Sequence, residues 1–221
     1  MKRTVALPLV AATMFIWAAS AAEVLAPLPL ELPPPVFASW IFDPAPRPNV
    51  EPYPKTLRPP FLAQVGITNL ARGKPVTSSD PNPVSGQLKQ ITDGGKEACR
   101  ESLAELHRGT QWVQIDLGAP ARLAAVTIWH AHHEPVICYD VVVQAANDPE
   151  FKEGVTTLFN NDRDNSSGLG AGEDPMYLET NEGRLIDARG AKARYVRLYS
   201  RSSTFTAYNP YMEVEAWGRA E

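Results

Sequence analysis

The chain predicts an all-β fold, a jelly-roll β-sandwich of two antiparallel sheets. Three observations lead there. Short β-rich runs recur from about residue 65 onward, separated by turn-forming residues. Several of these runs alternate apolar and polar residues with period two, the pattern of a sheet with one buried and one wet face. Helix signals are few, and about 155 residues of short strands and polar loops fit a sandwich better than a mixed fold. The strand candidates are QWVQIDL (111–117), LAAVTIWH (123–130), YDVVVQAA (139–146), VTTLF (155–159), ARYVRLYS (193–200) and MEVEAWG (212–218). In the first, Val113, Ile115 and Leu117 share one face, and Trp112, Gln114 and Asp116 the other. ESLAELH (101–107) is expected to form one short helical turn.

The ends read differently. Lys2 and Arg3 precede an apolar stretch to about Trp17, followed by small residues with a small-x-small cleavage pattern near Ala21. Residues 1–22 are therefore read as a signal peptide, too short in its apolar part for an ordinary membrane span. An uncleaved anchor is the only membrane attachment expected. The protein is placed outside the cytoplasm: secreted, periplasmic or at the cell surface. Residues 23–64 are read as a proline-rich linker, since residues 27–60 hold twelve of the 21 prolines. Phe37, Trp40, Ile41 and Phe42 are apolar for a free tether, and they are expected to lie against the following domain or to dock a partner. Residues 65–221 form the folded domain.

Charge narrows the partners. Without residues 1–22 the formal net charge goes from −4 to −6. Nucleic acid and anionic membrane both reward a basic surface and are not expected partners. Cys99 and Cys138 are the two cysteines; in an exported protein they either pair or stay free.

Ordered blocks then carry a resemblance. NLARGKPVTSS (69–79), ITDGG (91–95), QWVQIDLG (111–118), the strand ending in WH (129–130), VQAANDPEF (143–151), ARYVRLYS (193–200) and EVEAWG (213–218) occur in an order and spacing similar to the discoidin domain, or coagulation factor V/VIII type C domain. The resemblance spans residues 66–219. It implies a galactose-binding-like jelly roll of the kind used as a carbohydrate-binding module, with the terminal EVEAWG strand pairing near the opening NLARGKPV segment. It also implies one structural calcium. By position Asp93 and Glu213 would supply carboxylates, and Gln90, Gly95 and Met212 carbonyls. Ala98 and Cys99-Arg100 depart from the family pattern there, and Glu97 is a candidate substitute.

The stretch WHAHHEP (129–135) is the densest chemical signal. His130 and His132 share the face of Val126 and Ile128, so a buried, hydrogen-bonded role is one reading. The other is a ligand rim of His130, His132, His133 and Glu134, completed by Phe205 and Tyr208 from the loop RSSTFTAYNPY (201–211), with Tyr211 nearby. Aromatic rings stack on the C–H faces of sugars, and polar groups fix their hydroxyls. A metal-dependent enzyme using His130–His133 is the least favoured reading, because no second histidine cluster completes a ligand set. Nucleophile motifs are missing. NNDRDNSSG (160–168) resembles part of a calcium loop with the wrong spacing, and reads better as a turn held by side-chain-to-backbone hydrogen bonds. The expected function is non-catalytic glycan binding. The rival is a protein-interaction or adhesion module of the cell envelope.

Overall fold

The computed structural model describes residues 24–36, 47–53 and 55–221. The expected signal peptide and the group Phe37 to Phe42 lie outside these residues. Among the described residues no helix is long and apolar enough to cross a membrane.

Twelve strands follow in order: β1 (Leu25–Pro27), β2 (Leu62–Gln64), β3 (Thr68–Asn69), β4 (Val76–Ser78), β5 (Ala104–Leu106), β6 (Gln111–Trp129), β7 (Val142–Ala146), β8 (Thr156–Asn160), β9 (Arg184–Asp187), β10 (Lys192–Ser200), β11 (Asn209–Tyr211) and β12 (Glu213–Ala220). All ladders between them are antiparallel. The 19-residue β6 organises the sandwich. Its first part pairs with β4 and β10, and its second part with β9 and β12. The β6–β10 register breaks between Tyr195↔Asp116 and Ala193↔Ala121, across the turn at Gly118 and Pro120. Gly118 sits at φ 90°, a left-handed conformation that costs glycine little. One chain run thus serves both layers, which explains why two strands were expected where one long bent strand is found.

Alternation in β6 has the predicted consequence. Val113, Ile115 and Leu117 are buried, and they join Val126, Ile128, Val196, Leu198, Val214 and Ala216 in one core. Each buried aliphatic side chain contributes about 1.5–3 kcal/mol to that core. β12 closes the sheet on β3 as expected, and Asn69 Oδ1 helps by accepting from the amides of Ala71 and Ala216.

Two expectations change. Residues 104–106 are a strand and not a helical turn; only a 3-10 turn at Arg100–Ser102 precedes it. Pairing with β11 and burial of Ala104 and Leu106 override the local helical pattern. The proline-rich segment is also docked wherever it is described. β1 pairs with β2, Leu30 packs on the cluster of Leu103, Trp129, Ala131 and Met212, and Asn181 Nδ2 donates to Pro33 O at 2.8 Å. Arg58 donates to the carbonyls of Glu182 and Gly183, and Arg184 grips both carboxylate oxygens of Glu51. Each proline removes a main-chain donor, so beyond the short β1–β2 ladder side chains and carbonyls do much of the fastening. Gly183, whose carbonyl takes the Arg58 bond, lies tight on the end of β6: a Cβ there would stand 2.6 Å from the Trp129 ring.

Candidate functional site

The end of β6 divides the histidines. Continuing past Trp129, His130 turns inward with the core face and is fully buried. Its Nδ1 lies 2.7 Å from Glu179 Oε1, and its ring packs against Tyr211 with centroids 5.0 Å apart. Burial opposes the charged form, yet the neighbouring Cys138 and Glu179 together hold the His130 pKa well above its usual range. His132 is buried as well, with Nε2 2.9 Å from the carbonyl of Lys96, and burial lowers its pKa. Neither ring reaches the surface, so neither lines a ligand rim; alternation on a strand that runs on into the core puts them there. Tyr211 is likewise a core residue, its hydroxyl 2.9 Å from Ser200 Oγ.

His133 is different. The chain leaves the strand before Pro135, and His133 turns to Phe205, edge to face with centroids 5.9 Å apart. Both residues line a cavity of about 570 Å³ at this end of the sandwich, together with Tyr208, Thr206, Ser85 and Glu105. Phe205 is the open ring, 47% exposed. Tyr208 has Arg108 over its face at 5.3 Å, so its ring is partly covered. Glu134 is exposed and does not line the cavity. Arg100, Glu101 and Glu105 do line it, and sequence reasoning missed them. Residues 101–107 read as a helical turn, and nothing local to them announces that this stretch faces the Phe205 loop. Both ring nitrogens of His133 are screened from solvent and have no hydrogen-bond partner.

The expected calcium residues lie together on one flank. A 3-10 turn, Leu88–Thr92, leads into Asp93. Glu213 opens β12, and its Oε2 accepts from the Gly94 amide at 2.8 Å. Glu213 Oε1 is buried without a partner, and burial, aided by the nearby charges of Glu215 and Asp93, pushes the carboxyl up to about 9. Asp93 Oδ1 accepts from the Gly95 amide at 2.8 Å. A Cβ on Gly95 would sit 3.0 Å from Asp93 Oδ1 and 3.7 Å from Glu97 Oε2, so this glycine keeps the concave side between two carboxylates clear. The Gln90 side chain is engaged elsewhere, bonding the Gln87 amide and the Glu101 carbonyl, and has only its main chain to offer. Met212 is buried, with its amide on Trp129 O. An unpartnered, buried carboxylate oxygen beside a second carboxylate is what a hard cation would satisfy.

The loop at 160–168 is held internally. Asp162 is buried and accepts from the amides of Ser166 and Ser167 and from the Ser167 hydroxyl. Cys99 and Cys138 are both free.

No protein-family model matches this chain, and no curated protein does. Solved structures share its fold. The CBM32-4 module of CpGH89 from Clostridium perfringens, in complex with GlcNAc-α-1,4-galactose, matches 70% of this chain and 96% of its own at 16% identity and a TM-score of 0.50. Chitosan-binding module 1 of a chitosanase/glucanase from Paenibacillus sp. IK-5 matches 68% of this chain and 99% of its own, at 20% identity and a TM-score of 0.45. The lectin-binding domain of lectinolysin, complexed with Lewis b, matches 70% of this chain and 97% of its own, at 18% identity and a TM-score of 0.48. The antiparallel β-sandwich expected from the sequence is the fold this chain shares with the CBM32-4 module.

Proposed function

We propose that this protein is a non-catalytic, exported glycan-binding module. The cavity beside Phe205 carries the reading. It pairs an exposed aromatic ring with the polar side chains of Glu105 and Ser85, on loops at one end of the sandwich. Phe205 would stack on a sugar's apolar face, with His133 bracing the ring edge to face, while Glu105 and Ser85 hold hydroxyls. Carbohydrate-binding modules of the same fold support the reading by analogy, since fold alone does not decide function.

A structural calcium ion would sit between Asp93 and Glu213. The two carboxylates, the carbonyls of Gln90, Gly95 and Met212, and Glu97 would hold it. Calcium prefers such oxygen ligands, and it would tie the 93–97 loop to the start of β12.

The test is a glycan-array screen of the full chain, run in calcium and again in chelator. Specific binding supports a lectin-like module, and its loss in chelator supports the calcium. A clean negative on folded protein shifts the weight to a protein partner of the cell envelope, for which the docked proline-rich segment offers a second surface.

A further inference from the structure

Beneath the glycan cavity lies a cluster that neither the proposed binding nor the proposed calcium uses. His130, Cys138 and Glu179 come from three separate stretches of chain: the end of β6, the segment after Pro135, and the approach to β9. Their ligating atoms all lie within 4.8 Å of one another. All three residues are buried, Cys138 at 2% exposure and the other two at 0%. We propose that they form a structural site for one transition-metal ion of the zinc class.

Three arguments support the assignment. The donor set comes first. One thiolate, one imidazole and one carboxylate suit a borderline-soft ion and do not suit calcium or magnesium, which want many oxygens. Polar satisfaction comes second. Glu179 Oε2, His130 Nε2 and the Tyr177 hydroxyl are buried here without hydrogen-bond partners. Tyr177 belongs to the same electrostatic neighbourhood, its phenol pushed well above its usual range by burial and by Glu179 and Cys138. Such a concentration of unpaired polar atoms is rare in a native core. An ion held by the Glu179 carboxylate can engage Oε2 as well as Oε1, which gives one of these orphaned atoms a partner. Charge comes third. A divalent ion with one thiolate, one carboxylate and one neutral imidazole sums to zero, which a low-dielectric core tolerates best.

The step balances in protons. Without the ion, a proton is shared between His130 Nδ1 and Glu179 Oε1 at 2.7 Å, and Cys138 keeps its thiol proton, burial raising its pKa. Binding forms metal–nitrogen, metal–oxygen and metal–sulfur bonds and releases both protons to solvent. Metal–ligand bonds of about 2.0–2.3 Å separate the nitrogen and oxygen by roughly half an ångström more than the hydrogen bond does, a rotamer-scale adjustment. The site is closed, so the ion enters during folding and not by exchange with the native protein.

Its position gives it a purpose. The backbone flanking Cys138 is hydrogen-bonded to the Phe205 loop: Thr204 N donates to Ile137 O at 2.9 Å, and Tyr139 N to Ser202 O at 2.9 Å. A metal at Cys138 would anchor the rim from below.

The experiment uses the full chain. Protein produced with zinc in the medium is analysed for metal, then unfolded in chelator and refolded with cobalt(II), with zinc, or with neither. The expected results are one zinc per native chain and a thiolate-to-cobalt charge-transfer band on refolding. A higher melting temperature with zinc than in chelator is also expected. The Cys138→Ala variant, which keeps a small apolar group in the core, should lose the band and the zinc-dependent shift. Native protein that contains no zinc, and that refolds with cobalt(II) without a charge-transfer band, overturns the proposal whether or not the variant folds. A cobalt band of equal strength in Cys138→Ala overturns the assignment of the ligands.

Discussion

His130 and His133 stand three residues apart and live in different solvents. His130 is sealed in the core, paired with Glu179 and packed on Tyr211. His133 turns against Phe205 at the edge of a cavity open to ligands. Residue type does not separate them. What separates them is where β6 ends: the strand carries its alternation one step beyond Trp129, and Pro135 forces the chain out. A histidine cluster read as one site is therefore two places, a buried one paired with Glu179 and a half-buried one beside the cavity.

The largest effect expected from breaking this contrast is on the buried side. Glu179→Ala removes the Nδ1 partner of a fully buried imidazole and leaves a cavity in the core, and should cost about 2–4 kcal/mol in urea unfolding. A cost below 1 kcal/mol would mean that His130 is not held as described.

Next in size is the pH dependence at Glu213. Its folded pKa of about 9 lies above its ordinary value of 4.5. The folded state therefore holds a proton that the unfolded state gives up, and stability should fall as pH rises between these two values. Calcium should flatten the slope at the alkaline end, and Glu213→Gln should remove it. Melting curves from pH 5 to 9, with calcium and with chelator, would check this. A slope identical in the presence and absence of calcium would speak against the ion.

Leu30→Ala tests the docked proline-rich segment. Losing a partly buried leucine on Trp129 should cost about 1–2 kcal/mol by the same unfolding measurement. A free tether would register no change.

On the exposed side the stability effects shrink while binding effects appear. Phe205→Ala should leave stability within about 0.5 kcal/mol and reduce glycan affinity at least tenfold. Glu134→Ala, off the cavity, should change neither; a loss of binding there would redraw the site.

Much of the fold was legible from period-two alternation. Val113, Ile115 and Leu117 were assigned to the core from their spacing alone, and β12 was placed beside the opening segment from block order. What stayed hidden depends on long-range contacts. The strand at 104–106 exists because β11 pairs with it, and its local sequence favours a helical turn. Part of the cavity wall was missed with it, since Glu105 lies in that strand and Arg100 and Glu101 in the turn before it. His130 and His132 were read both ways, because a strand end cannot be located to within one residue by pattern. The His130–Cys138–Glu179 cluster joins residues 49 positions apart, and no spacing rule announces it.

The most direct measurement is calorimetric titration of the best array glycan into the full chain and into Phe205→Ala, both in saturating calcium. The account predicts measurable binding to the first, at least tenfold weaker or absent binding to the second, and equal melting temperatures. Equal affinity for the two proteins would contradict it, and would place any glycan site away from the His133–Phe205 cavity.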